Sequence, residues 1–252
     1  MDDPRTFKKY ASKRDLVVEA LREMILSGQI LPGQRLRQEE LTRMLGVSAT
    51  PIREAIRLLE ADGLLCGEAH HGVSVVEITP DELQDICRIR SMLEGLATRQ
   101  AVDRSDPQDY AAALEHLETI QSELEAAVRS GTVAAMANLN RAFHLQLYTQ
   151  SGSPYLIDMI RRLWMHQPGY MVWDDPKLAA ASVEQHKAVL AALRARHAEA
   201  AAQAIQVHIQ LSAVSLAKEM RRREEARPSL EQPRNVSPKG RNALPLSDLL
   251  VG

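Results

Sequence analysis

The sequence predicts a mainly α protein, with an N-terminal winged helix-turn-helix followed by an all-helical antiparallel bundle of about six helices. Three observations carry this. The 252 residues are poor in Gly, Pro and aromatics while Ala, Leu, Glu and Arg are plentiful, a composition that builds helices rather than sandwiches or barrels. Apolar residues recur at helical spacing in segment after segment. The one run rich in β-branched residues, Val73, Val75, Val76 and Ile78, follows the third helical segment, and nothing beyond it has the pattern of a strand.

Residues 1–12 are polar and charged and read as a flexible arm. From about Lys13, Leu16, Val17, Ala20, Leu21, Met24 and Ile25 mark a helix that "SGQILPG" stops, because its glycines and Pro32 terminate and turn the chain. "RQEELTRMLG" places Leu41, Met44 and Leu45 on one face and ends at Gly46, a residue that accepts the left-handed conformation of a helix end. Ser48 or Thr50 can cap a third helix, with Pro51 in its first turn and Ile52, Ala55, Ile56 and Leu59 as its buried stripe; Gly63 closes it. "LLCGEAHHGVSVVEI" then predicts a two-stranded hairpin, a wing with Gly72 at its tip, completing a domain over 13–78.

"TPDE" at 79–82 is a capping box with proline at the first helical position, so a new helix starts there and runs to about 102. Further helices are expected at 107–130, 132–151, 153–166, 176–196 and 198–224, broken at "RSDP", "SGSP", "QPGYMVWDDP" and Arg196-His197. Together they make a second domain over 79–224. The tail, 225–252, is rich in Pro, Ser and charge and holds too little apolar surface to offset ordering, so it is expected to be disordered.

A net charge of −2 argues against a globally basic nucleic-acid binder and places any electrostatic role in local clusters. Two cysteines are too few for a disulfide framework or a thiolate zinc site. With no signal-peptide pattern and no apolar run approaching roughly 18 residues, the expectation is a cytoplasmic protein that does not enter a membrane.

Local charge points to the first domain. Residues 4–57 hold eleven Lys or Arg against six Asp or Glu. In a helix-turn-helix the second helix lies in the major groove, and its first residues touch base edges. Ser48, Thr50 and Arg53 stand at that place: the hydroxyls can donate to phosphate or bases, and the guanidinium can grip phosphate or guanine with two bonds. Gly72, lacking a side chain, would let the wing approach the sugar-phosphate wall. The plainer reading makes Ser48 a cap, Arg53 a solvated side chain and Gly72 a turn residue.

In the second domain, His144, His186 and His208 each fall within a predicted helix, and Asn140 lies one turn before His144 on the same face. Imidazoles suit zinc, nickel, copper, iron or manganese, and a bundle core is a usual place for such a site. The alternative is three separate histidines satisfied in the core or at the surface. Trp164, Tyr170 and Trp173 cluster in an aromatic-poor chain, as walls of a ligand cavity or as core. His70 and His71 fall in the wing loop and would face solvent or phosphate.

"PGQRLRQEELTRMLGVSATPIREAIRLLEADGLL" followed by "HHGVSVV" resembles the winged helix of the GntR family of bacterial transcription regulators. "RIRSMLEGLATRQA", "FHLQLYTQSGSPYLIDMIRRLW" and the two later histidine-bearing helices resemble the FCD effector-binding domain of its FadR subfamily, the two matches spanning about 13–222. The resemblance implies a ligand-responsive regulator, commonly a repressor, that binds double-stranded operator DNA as a homodimer. By position it assigns Ser48, Thr50, Arg53 and Gly72 to DNA, with Arg37 as a phosphate contact; Ala49 stands where the family usually presents a base-reading arginine. It also implies a divalent metal such as zinc, nickel or manganese on His144, His186 and His208, with Asn140 where an aspartate is usual. Arg90 matches a recurrent arginine that would clamp the carboxylate of a small acidic effector, or else pairs with Glu94 on the helix surface. Two other functions remain open on these residues: a metal-dependent hydrolase built on the three histidines, and a direct metal sensor.

Overall fold

A computed structural model describes residues 12–68, 72–104, 106–167 and 170–226. Residues 1–11, His70 and His71, the Tyr170 side chain and residues from 227 on, where the arm, the wing-loop histidines and the tail were expected, lie outside the described residues. The chain divides into two compact units at the junction of Glu77 and Ile78.

The first unit begins with α1 (Lys13–Leu26), whose capping box is closed by Ser12 and Asp15. It continues through β1 (Arg35–Leu36), α2 (Gln38–Leu45), α3 (Ala49–Ala61), β2 (Leu65–Glu68) and β3 (Gly72–Val75). Val17, Leu21, Leu41, Ile52, Ala55 and Leu59 are buried where the three helices meet, and each large aliphatic side chain so buried contributes about 2 kcal/mol. Gly46 ends α2 in the left-handed region at φ 66°, as its position in the sequence predicts.

Three details depart from expectation. The sheet has three antiparallel strands in the order β1-β3-β2, not two: Arg35 and Leu36 pair with Ser74 and Val73. A two-residue strand has no alternation to read, which is why "RL" is silent in the sequence. Ser48 is the N-cap residue of α3, but its hydroxyl makes no capping bond, so the helix starts without a side-chain cap. Gly72 opens β3 opposite Glu68 rather than standing at the tip; its φ of 92° requires glycine, and a Cβ there would lie 3.2 Å from the Leu36 carbonyl oxygen of β1.

The regular elements described in the second unit are all helices: α4 (Pro80–Arg104), α5 (Pro107–Ser130), α6 (Val133–Thr149), α7 (Pro154–Trp164), α8 (Tyr170–Asp174), α9 (Pro176–Arg194) and α10 (Ala198–Glu225). The Thr79–Glu82 box caps α4 reciprocally, with Thr79 N–H donating to Glu82 Oε2 at 2.7 Å and Glu82 N–H to Thr79 Oγ1 at 3.2 Å. Asp106 and Asp175 cap α5 and α9, each followed by proline, and Gly131 closes α5. His197 caps α10, its Nδ1 accepting from Ala200 N–H at 3.1 Å. The short α8 lies in the stretch read as a linker; Val172 and Trp173 bury themselves in the bundle core, so Trp173 is a core residue. Phe143, Leu147, Tyr148, Ile160, Leu193 and Ile205 fill the bundle centre. α4 lies along α10 at Gly95, where a Cβ would meet the Gln206 amide at 2.5 Å.

Candidate metal centre and nucleic-acid interface

At the front of α3, Ser48, Ala49, Thr50 and Arg53 are all exposed. The Gln38 amide at the start of α2 donates to the Ala49 carbonyl at 3.2 Å, tying the beginning of α3 to its neighbouring helix. Arg37, the N-cap residue of α2, is exposed and makes no capping bond. Neither Arg37 nor Arg53 forms a side-chain hydrogen bond or ion pair among the described residues. The face that results is a hydroxyl, a methyl, a second hydroxyl and a free guanidinium on a rigid helix, which can read and grip a polyanion.

In the bundle, α6 supplies His144, α9 His186 and α10 His208. All three are buried and their ligand-capable nitrogens lie within 4.8 Å of one another, the one such cluster among the described residues. His144 Nε2 and His186 Nε2 face each other at 3.3 Å. On the outer side each Nδ1 has a partner: the Tyr148 hydroxyl at 2.9 Å for His144, Gln121 Oε1 at 3.1 Å for His186, Gln185 Oε1 at 2.8 Å for His208. Phe143 stacks on the His186 ring with 4.2 Å between centroids. Burial, and after it the other two rings and Arg90, hold His144 well below the usual histidine pKa. Burial and then His208 do the same for His186, and burial and then Arg90 take His208 down to about 3. At neutral pH all three are neutral imidazoles, the form that ligates a metal.

One turn before His144, the Asn140 amide oxygen is buried without a hydrogen-bond partner among the described residues. A buried, unsatisfied acceptor costs about 1–3 kcal/mol and asks for a cation or donor beside it. The three neutral imidazoles are a donor set that fits a borderline divalent ion, so the residues present suit a metal.

Arg90 and Glu94 do form the i,i+4 pair the sequence allows, with Arg90 Nε donating to Glu94 Oε1 at 2.7 Å. The surface placement is wrong, however: Arg90 is 4% exposed and Glu94 0%. The Arg90 guanidinium also lies 4.9 Å from the centre of the Trp164 ring, and its Nη1 has no partner among the described residues. Glu94 accepts in addition from Trp164 Nε1 at 2.8 Å and from the Tyr148 hydroxyl. Sequence reasoning passed over Tyr148, Gln121 and Gln185 and gave Glu94 only a surface role. Tyr148 and Glu94 carried a signal, each four residues from a singled-out partner; Gln121 comes from α5 and has no local signature.

A winged helix presenting an unpartnered polar helix front, followed by a helical bundle with a buried histidine cluster, defines a DNA-binding transcription regulator. Residues 13–75 match the model of the bacterial regulatory proteins of the gntR family, and residues 85–211 match the FCD domain. The chain belongs to the GntR family of transcription regulators, with an FCD domain, and is not an enzyme; the hydrolase alternative is thereby set aside. The HTH-type transcriptional regulator McbR of Escherichia coli K12 is 34% identical over 196 residues, 76% of this chain and 86% of McbR. The uncharacterized HTH-type transcriptional regulator YdhC of Bacillus subtilis is 30% identical over 191 residues, covering 75% and 84% of the two chains. A solved structure of E. coli McbR/YncC superposes with a TM-score of 0.76 at 29% identity, over 83% of this chain and 99% of that one. No helix among the described residues is long and apolar enough to cross a membrane.

Proposed function

We propose that the protein is a cytoplasmic, homodimeric repressor that leaves or tightens on its operator when a small carboxylate binds in the bundle beside a divalent metal. The observation that carries this is the buried cluster of three neutral histidines in the second unit; Asn140, one helical turn before His144, and Arg90 each add a buried polar atom that has no hydrogen-bond partner among the described residues, the amide oxygen and Nη1. His144, His186, His208 and Asn140 would hold zinc, nickel or manganese, and the metal when bound supplies a Lewis-acidic position for a ligand oxygen. Arg90 supports the acidic effector because its Nε is committed to Glu94 while Nη1 is left to donate. Trp164 keeps the guanidinium in place by stacking and excludes water from one side.

Arg90 and Glu94 sit on α4, the helix that follows the junction with the winged helix directly in the chain. A ligand that binds one placement of α4 better than another shifts the population of DNA-competent dimers, by no more than its differential affinity allows. Repression then needs only that the dimer occupy the operator. In the DNA-binding module Ser48, Thr50 and Arg53 support base and phosphate contact, Arg37 and Gly72 backbone approach, and Ala49 contact with a thymine methyl.

A second copy of the chain is supported by apolar side chains left exposed among the described residues. Ile89, Met92 and Leu96 on α4 and Val207, Leu211 and Val214 on α10 are exposed at helical spacing, Met92 at 67%. Covering such a face is the ordinary role of a homodimer interface.

The deciding experiment is elemental analysis and native mass spectrometry of the purified protein, followed by operator binding with the retained ligand removed and restored. Retained metal and an organic acid whose return changes operator affinity is the expected result. Affinity that follows metal alone would favour the direct metal sensor, and affinity indifferent to both would sink the proposal.

A further inference from the structure

The Nδ1 partners of the histidines carry more than orientation, because each partner also decides where the imidazole proton sits. Glu94 Oε1 is occupied by two groups that can only donate, Arg90 Nε at 2.7 Å and Trp164 Nε1 at 2.8 Å. Its Oε2 receives the Tyr148 hydroxyl proton. Having given that proton to Glu94, the Tyr148 oxygen can only accept from His144 Nδ1, 2.9 Å away. A neutral imidazole has one N–H, so His144 Nε2 is left with a bare lone pair. An independent chain acts on His186. The Gln121 amide nitrogen faces two acceptors, Glu125 Oε1 at 3.2 Å and the Val183 carbonyl at 3.3 Å, so its oxygen meets His186 Nδ1 and requires an N–H there. His186 Nε2 is bare as well, and it faces His144 Nε2 at 3.3 Å with no proton to share. Two opposed lone pairs in a buried site are a place prepared for a cation.

We propose that Glu94 is the positioning residue of this centre: it fixes the direction of the Glu94–Tyr148–His144 hydrogen-bond chain, keeps His144 Nε2 free to ligate, and with its other oxygen holds Arg90. The inference rests on the metal reading of the three histidines and adds the residue that makes them ready for it. The same carboxylate serves both sides of the site, since one oxygen governs a metal ligand through Tyr148 while the other governs the arginine and Trp164.

Glu94→Gln tests the direction of the chain without changing its size. The Gln oxygen must stay with Arg90 and Trp164, which have only protons to offer, so the amide N–H turns to Tyr148. Tyr148 then accepts from Gln and donates to His144 Nδ1, which moves the imidazole proton to Nε2 and blocks ligation. Zinc affinity of the full-length protein, measured against a chromophoric chelator, should fall roughly 10- to 100-fold, the usual cost of losing an outer partner of a metal ligand. Long-range ¹⁵N–¹H spectra of metal-free, histidine-labelled protein should show His144 as the Nδ1–H tautomer in the wild type and Nε2–H in the variant. Adding Tyr148→Phe to Glu94→Gln removes the misdirected proton donor and should restore part of the zinc affinity, a rescue that mere damage to packing does not give. A wild-type His144 carrying its proton on Nε2, an E94Q protein binding zinc as tightly as the wild type, or a double variant weaker than E94Q would each overturn the proposal. The wild-type tautomer decides the matter even if E94Q does not fold, and it is read without metal, so failure of the metal reading is seen separately as absence of zinc binding.

Discussion

Arg53→Ala tests the proposed DNA-binding role of α3 apart from its structural one. The Arg53 side chain is exposed and makes no hydrogen bond or ion pair among the described residues, so truncation breaks no such internal bond. Alanine is also the better helix former, and thermal stability should stay within about 0.5 kcal/mol of the parent. On DNA the cost depends on what the guanidinium grips. A bidentate contact to guanine is worth about 1–3 kcal/mol. Summed over the two protomers of the proposed dimer on a palindromic site, the loss is about 2–6 kcal/mol, roughly 30-fold or more in affinity. A phosphate contact instead lowers the slope of log K against log salt by about 0.9 per protomer. Fluorescence anisotropy on an operator selected from random duplexes, repeated across a salt series, distinguishes the two. Unaltered affinity and slope in a variant that melts normally would refute the assignment of this helix to the major groove.

Asn140→Asp should raise zinc affinity by roughly tenfold or more, because a carboxylate replaces a neutral amide oxygen beside the dication; unchanged affinity in a titration would remove Asn140 from the ligand set. Met92→Glu, placing a charge on the most exposed apolar residue of α4, should shift the protein from dimer to monomer in light scattering, and an intact dimer would move the interface elsewhere. The metal-free protein should lose stability in acid. His144, His186 and His208 have folded pKa values below the unfolded value of about 6.5, so the unfolded chain binds more protons and unfolding becomes easier as pH falls from 6.5 towards about 3, where His208 titrates. The slope is up to about 1.4 kcal/mol per pH unit for each histidine, and denaturant titrations between pH 7 and 5 that show none would contradict the burial of neutral rings.

What the sequence disclosed follows from which interactions are local. Helix boundaries marked by chemistry within one turn were legible, as at Thr79–Glu82 and Gly46. β1 and α8 were not, since two and five residues are too short for a period and owe their form to partners elsewhere in the chain. The same division runs through the site. Asn140 and His144 share a helix face by spacing alone, whereas the meeting of His144 with His186 and His208 depends on how α6, α9 and α10 pack, and was supplied by resemblance. The Arg90–Glu94 pair was readable at i,i+4, but not its burial, because that comes from Tyr148 on α6 and Trp164 on α7 closing over it. A pair that would have been a minor surface ornament became the polar hub of the bundle.

That burial sets the electrostatics of the proposed sensor. The Arg90 and Glu94 charges cancel as a pair, worth little to stability on its own because both were desolvated. The three imidazoles are neutral and Asn140 would bring an amide, so the proposed ligand set has no anion of its own. A divalent ion there stands uncompensated, and the unsatisfied Arg90 Nη1 adds more positive potential. An incoming carboxylate answers both at once. Metal and acid should therefore bind with positive coupling, each strengthening the other by the same factor. An aspartate at position 140 would supply the missing charge internally and weaken that mutual dependence, so under the proposed metal reading Asn140 is the residue that would make the effector part of the metal site.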